Sequence, residues 1–202
     1  MGLLGNNFDA AHHAALEAAQ QEGKFPLSVN RVTKEYLNGE RVAVDDMSID
    51  IKEHEVTAMI GPSGCGKTTV LRLMAGLEFP TRGSVESFGM PIKGPGPERG
   101  LVFQAYTSFP WLSVIENVQH GVAIQGFSKA EQRDRAEHYL KLVHLDNFAN
   151  AYPDELSGGM KRRLGIAQTL IGDPKIIIVD EPTVGLDPEE RLRFRNLMTD
   201  LS

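Results

Sequence analysis

Cysteine is all but missing from this chain. Cys65 is the only one in 202 residues, which excludes an internal disulfide framework and suits a reducing compartment. No apolar run approaches the ~20 residues that a membrane-spanning helix requires. The N-terminus also lacks the basic segment and long apolar stretch of a secretory leader. Positive charge is not in excess: 21 Lys and Arg stand against 27 Asp and Glu, for a formal net charge of −6. That balance argues against a dominant nucleic-acid surface, because counterion release needs clustered cations. With 41% hydrophobic and 24% charged residues the composition is that of an ordinary globular protein. These absences predict a cytoplasmic chain with one main core.

What is present is concentrated first in Gly61-Pro62-Ser63-Gly64-Cys65-Gly66-Lys67-Thr68-Thr69. This stretch satisfies G-x-x-x-x-G-K-[ST], the loop that cradles a nucleoside triphosphate. It follows an apolar run, Val56 to Ile60, which reads as a strand, and precedes a helical pattern of Val70, Leu71, Leu73, Met74 and Leu77. Its glycines let several backbone N–H groups turn inward onto phosphate oxygens. Lys67 adds a positive charge at the β- and γ-phosphates, the Thr68 hydroxyl takes a Mg²⁺ coordination position, and the helix N-terminus supplies partial positive charge.

Before the loop, residues 1–26 read as an alanine-rich helix or tail, in which His12 and His13 point about 100° apart and make a poor metal pair. From Leu27 to Ile51, β-type alternation broken by Asn38-Gly39 predicts an antiparallel hairpin. After the loop, Val85 to Met90 reads as a short strand, 91–100 as a Pro- and Gly-rich loop, and Gly100 to Gln104 as a buried strand ending in an amide. Ser113-Val114-Ile115-Glu116 and Ser128-Lys129-Ala130-Glu131 are capping boxes that start two helices. Leu156-Ser157-Gly158-Gly159-Met160 opens another, with Ser157 as N-cap, an apolar stripe of Met160, Leu164, Ala167 and Ile171, and two glycines that permit close approach by an anion.

Ile176-Ile177-Ile178-Val179 is the strongest strand, a continuous β-branched run expected of a parallel strand buried on both faces. It ends in Asp180-Glu181. Carboxylates at the carboxyl end of such a strand stand where ligands bind in open α/β sheets. Beside a phosphate loop, Asp180 is expected to reach Mg²⁺ and Glu181 to deprotonate the attacking water. Asp187-Pro188 starts a last helix.

Taken in order, these motifs make the chain resemble the nucleotide-binding subunit of an ABC transporter from about Leu27 onward. The resemblance implies an α/β fold: a P-loop NTPase core with a RecA-like parallel sheet, an N-terminal antiparallel β subdomain and an inserted helical subdomain. It implies one ATPase domain over 27–202, with 27–110 and 170–202 forming the β subdomain and core and 111–169 the helical subdomain. By the same resemblance Tyr36 stacks on the base of ATP, Gln104 of the Q-loop is a catalytic and Mg²⁺-binding residue beside the catalytic Lys67 and Glu181, and Ser157, Gly158 and Gly159 cap the γ-phosphate held by Lys67 of a second subunit. A head-to-tail dimer is therefore implied, docked on transmembrane permease subunits at the inner face of the cell membrane, with an extracytoplasmic solute-binding protein reached through the permease and no nucleic acid.

The stretches Arg99 to Gln104 and Phe109 to Val118 resemble bacterial importers of nitrate, sulfonate, taurine or bicarbonate, whereas 161–166 and 184–187 look more like exporter ATPases. Three positions depart from the family pattern. Met160 and Gln168 replace a common glutamine and arginine, and a switch histidine is absent, since all six histidines precede Asp180. A parallel sheet lacking the strand that carries that histidine is expected to leave an unpaired edge. Two other readings stay open: a soluble ATPase of this type acting on nucleic acid or ribosomes, and a chain that binds nucleotide without turnover.

Overall fold

Alternating apolar residues and an Asn-Gly turn build the first layer. In the computed structural model, which describes residues 14, 18, 24–183 and 186–200, strands β1 (Leu27–Tyr36) and β2 (Arg41–Ile51) pair antiparallel, with Leu27 opposite Ile51 and Tyr36 opposite Arg41. Between them Asn38 and Gly39 take φ of 55° and 97°, the left-handed values that a tight hairpin needs. Most of the expected N-terminal helix, His12 and His13 included, lies outside the described residues, as do Val184 and Gly185.

The chain falls into two compact units, Met1–Gly96 and Pro97–Ser202. In the first, β3 (Arg82–Ser87) pairs with β1 and with the two-residue β4 (Met90–Pro91), for a sheet order of β2-β1-β3-β4. The single strand expected over Val85 to Met90 is thus divided, because Phe88 and Gly89 turn with φ of 50° and 72° and fold β4 back on β3. Helix α1 (Lys67–Met74) packs on this sheet, and Val70 and Leu73 join Leu27, Val29, Val32 and Val85 among the buried residues.

The expected strand before the phosphate loop does not form. Residues 55–60 have no regular structure, and Val56 and Ile60 are 83% and 94% exposed. A β-strand is a pairwise object whose N–H and C=O groups need a neighbour. The sheet of this unit consists of β1 to β4, so an apolar pattern alone leaves the run unpaired.

In the second unit β5 (Arg99–Val102) and β6 (Ile176–Val179) pair in parallel, Arg99 opposite Ile176 and Val102 opposite Val179. Three helices follow β5: α2 (Val114–Ile124), α3 (Lys129–Leu142) and α4 (Gly158–Leu170), and α5 (Pro188–Asp200) follows β6. Both capping boxes form, with Ser113 accepting from the Glu116 N–H at 3.4 Å and Ser128 from the Glu131 N–H at 3.3 Å. The returning bonds from Ser113 and Ser128 hold both glutamates below the ordinary carboxylate range.

Val114, Val118 and Val122 of α2, Ala136 and Leu140 of α3, and Leu164, Ala167, Leu170 and Ile171 at α4 form one buried cluster. Met160 of the expected stripe is only partly buried, whereas Ile166 and Leu170 are buried as well. Helix α4 therefore buries more than one face, as a helix in the middle of a unit must. Strand β6 is less enclosed than its composition predicts. Only Ile178 is buried, while Ile177 and Val179 pack partly against the helical cluster. A strand in a two-stranded sheet lacks the flanking strands that complete burial on both faces.

Asn117 is the polar hub of the helical part. Its amide donates to the carbonyls of Phe109, Leu112 and Ser113 at 2.9–3.0 Å and accepts from the Phe109 N–H at 2.7 Å, while 1% exposed. Replacing Asn117 with alanine strands several buried groups, each worth about 1–3 kcal/mol and not fully additive. The expected outcome in denaturant unfolding is a loss of about 3 kcal/mol, with the slope unchanged.

Candidate nucleotide-binding site

The phosphate loop is held open by backbone conformation. Gly64 and Gly66 have φ of 79° and 98°, left-handed values that glycine takes without strain. At Gly66 the requirement is double, since a Cβ would stand 2.2 Å from the Ala43 carbonyl oxygen. Gly61 to Cys65 are exposed, and the Cys65 N–H closes the turn on the Pro62 carbonyl at 3.4 Å. Lys67 turns back over the loop, and its ammonium donates to the Gly61 and Pro62 carbonyls at 2.8 Å each and lies 3.8 Å from the Cys65 Sγ. Helix α1 starts from Gly66 with no side-chain cap on its first turn. An uncapped helix start beneath a glycine-rich turn carrying a lysine is suited to anionic oxygens.

Tyr36, at the end of β1, is half-buried in the same unit. Its phenol donates to the Glu78 carboxylate, and the Lys34 ammonium stands 5.1 Å from the ring centroid. Burial and the Glu78 contact push the phenol pKa up. Sequence reading singled out Tyr36 but missed Glu78, which has no local signal.

In the second unit the two carboxylates that end β6 diverge. Asp180 is 9% exposed, with its N–H bonded to the Val102 carbonyl at 3.1 Å. Glu181 is exposed, and the Gln104 amide donates to its Oε2 at 2.7 Å. The two strand ends thus bring together a pair expected separately. Glu181 also has φ of 47°, in the left-handed region that a glutamate seldom takes. Such strain costs on the order of 1 kcal/mol and recurs at functional sites.

Ser157 caps α4, accepting from the Met160 N–H at 3.2 Å, and Gly158 is exposed beside it. Gly159 is buried, and a Cβ there would stand 2.5 Å from the Glu190 carboxyl carbon, so that the Glu190 side chain would have to shift. Glu190 in turn lies 3.5 Å from Arg163, which donates to the Val143 and His144 carbonyls at 2.9 and 3.0 Å. Arg162, 5% exposed, donates to the Phe103 carbonyl at 2.6 Å and lies 5.8 Å from the Tyr106 ring. Helix α4 is thereby tied to the Gln104 loop on one side and to α5 on the other. Nothing in the sequence gives Arg162, Arg163 or Glu190 a site role, although all three flank motifs that have one. Gln168 also acquires a role, donating to the Asn117 carbonyl and side-chain oxygens at 3.3 Å each. At this position an amide joins α4 to the hub of α2.

A glycine-rich loop that starts a helix and a parallel strand that ends in two carboxylates, on an α/β chain with an antiparallel N-terminal sheet, define a P-loop NTPase. Residues 44–184 match the ABC transporter family, and the chain belongs to it. It is 46% identical over 175 residues to an uncharacterized ABC transporter ATP-binding protein of Methanocaldococcus jannaschii, covering 86% of this chain and 66% of that one. The nitrate import ATP-binding protein NrtD of Synechocystis is 44% identical over 163 residues, 81% of this chain and 61% of that relative. The taurine import ATP-binding protein TauB of Chromobacterium violaceum is 41% identical over 172 residues, covering 85% and 66%. Against these relatives the chain spans about two thirds of their length. Among solved structures, a dimeric bacterial ABC transporter cassette superposes with a TM-score of 0.79 at 33% identity, covering 87% of this chain and 82% of that one. The same cassette fold bound to ADP and Pi, in a dimeric post-hydrolysis state, gives 0.78 at 33% identity with the same coverages. No helix among the described residues is long and apolar enough to cross a membrane.

Proposed function

We propose that the chain is the ATP-binding and hydrolysing subunit of an ABC transporter that couples ATP hydrolysis to import of a small anion such as nitrate, a sulfonate or taurine. The observation that carries the reading is the phosphate loop: left-handed Gly66 under the Ala43 carbonyl, Lys67 folded over the loop, and an uncapped helix start behind them. The names of the nitrate and taurine relatives support the substrate class.

In this reading Gly61 to Thr69 cradle the phosphates, Lys67 neutralises them, and Tyr36 stacks on the adenine. Glu181 accepts the proton of the attacking water, with Gln104 fixing the direction of its carboxylate. Thr68 in the first unit, and Gln104 and Asp180 in the second, each carry a hard oxygen donor of the kind Mg²⁺ takes together with substrate phosphates, whose charge the ion would neutralise. Ser157, Gly158 and Gly159 serve a second copy's γ-phosphate in a head-to-tail dimer. Permease subunits at the inner face of the cell membrane, and a solute-binding protein beyond them, complete the assembly.

The test is a titration with Mg-ATP of the parent chain and a Lys67→Ala variant. Removing a charge-assisted contact is expected to cost about 2 kcal/mol, roughly thirtyfold in Kd. Equal affinity in both proteins would remove Lys67 from the phosphate site and sink the reading.

A further inference from the structure

We infer that Glu78 is a positioning residue, holding the Tyr36 ring in place as the base platform of the nucleotide site; this rests on the proposed reading of the first unit as an ATP site. Tyr36 is the last residue of β1, and the chain beyond it enters a turn in which Leu37, Asn38 and Gly39 all have positive φ. Sheet pairing therefore grips the ring only through its own strand end. The rest of its placement comes from side chains.

The phenol donates to Glu78 Oε2. The other carboxylate oxygen of Glu78 lies 3.5 Å from Arg72, and Lys34 stands 3.8 Å from Oε2. Two cations and the phenol thus converge on the Glu78 carboxylate and fix its direction. Lys34 is itself anchored, donating to the Phe79 carbonyl at 2.9 Å, and its ammonium sits over the ring of Tyr36, two residues on along the same side of β1. That leaves at most one ring face for a stacking base.

Arg72 belongs to α1, the helix that the phosphate loop opens, and Glu78 follows that helix within a few residues. The ring is therefore fastened to the phosphate loop's own helix rather than to the hairpin tip. A platform fixed in this way needs no ordering when a base arrives, and preorganisation of this kind raises affinity. The contact matters to a ligand that carries a base and not to one that carries only phosphates.

The experiment uses the 202-residue chain with two probes, Mg-ATP and Mg-tripolyphosphate. Tyr36→Ala is expected to weaken ATP about tenfold while leaving tripolyphosphate within about twofold, as loss of one base–aromatic stack predicts. Glu78→Ala is expected to weaken ATP by roughly threefold to tenfold, again with tripolyphosphate little changed. Glu78→Gln retains an acceptor oxygen and is expected to recover most of the loss. Tyr36→Phe keeps the ring, removes only the tether, and should match Glu78→Ala without adding to it in the double variant. If Glu78→Ala does not fold, Tyr36→Phe answers the same question. Equal weakening of both probes by Glu78→Ala would assign a structural role and overturn the inference, as would ATP affinity unchanged in Glu78→Ala and Tyr36→Phe while Tyr36→Ala loses it. If Tyr36→Ala leaves the ratio of the two affinities untouched, the base platform itself is wrong and the inference falls with it. Failure of the parent chain to bind either probe would overturn the ATP-site reading.

Discussion

Replacing Gly66 with alanine is expected to abolish triphosphate binding and to destabilise the first unit. The added Cβ would lie 2.2 Å from the Ala43 carbonyl oxygen and 3.3 Å from its carbon, and backbone cannot swing aside as a side chain tip can. The left-handed φ of 98° adds about 1 kcal/mol for a residue with a Cβ. Overpacking against fixed backbone adds roughly 1–3 kcal/mol more, for a total of about 2–4 kcal/mol in denaturant unfolding. The loop can relieve the clash only by leaving the conformation that places Gly66 against the Ala43 carbonyl. Gly64 is the control. Its φ of 79° is also left-handed, yet a Cβ there meets nothing within 4 Å, so Gly64→Ala should cost only the backbone strain of about 1 kcal/mol. Parent-like ATP affinity in Gly66→Ala would show that the loop geometry is not what binds phosphate.

The second large effect is expected on turnover at Glu181. Glu181→Gln keeps an oxygen that can accept from the Gln104 amide, now 2.7 Å away, so the arrangement of the two side chains is preserved. What disappears is the basicity. Loss of a positioned general base lowers rate on the order of 100-fold or more, while ATP affinity should change little. Steady-state hydrolysis and nucleotide titration on the same preparations separate the two quantities. Hydrolysis at the parent rate in Glu181→Gln would remove this residue as the base. Parallel loss of affinity and rate would assign it to binding instead.

The groups expected to act were mostly legible because each is announced by its immediate neighbours. Gly66-Lys67-Thr68 needs only its own loop, Ser113 and Glu116 need one helical turn, and Asp180-Glu181 stands out against four β-branched residues. The apolar run Val56 to Ile60 fails as a strand for the opposite reason. Its hydrophobicity is a local property, whereas a strand exists only when another segment pairs with it. Gly159 was read as bare backbone for an anion, and the structure adds that the Glu190 carboxyl group packs where its Cβ would be. Gln168, a departure from the family pattern with no evident consequence in the sequence, proves to bond α4 to Asn117.

The sequence by itself determined the class of chemistry, the α/β fold and the positions of caps and turns, because phosphate cradles, capping boxes and Asn-Gly hairpins are built from residues within one or two turns of each other. Tertiary structure alone decided which side chains hold those pieces in register. Tyr36 meets Glu78 across 42 residues, Gln104 meets Glu181 across 77, and Arg162 reaches the Phe103 carbonyl across 59. Contacts at such separations carry no periodicity or spacing along the chain, since they arise only when packing of the apolar faces brings distant polar groups within hydrogen-bond distance.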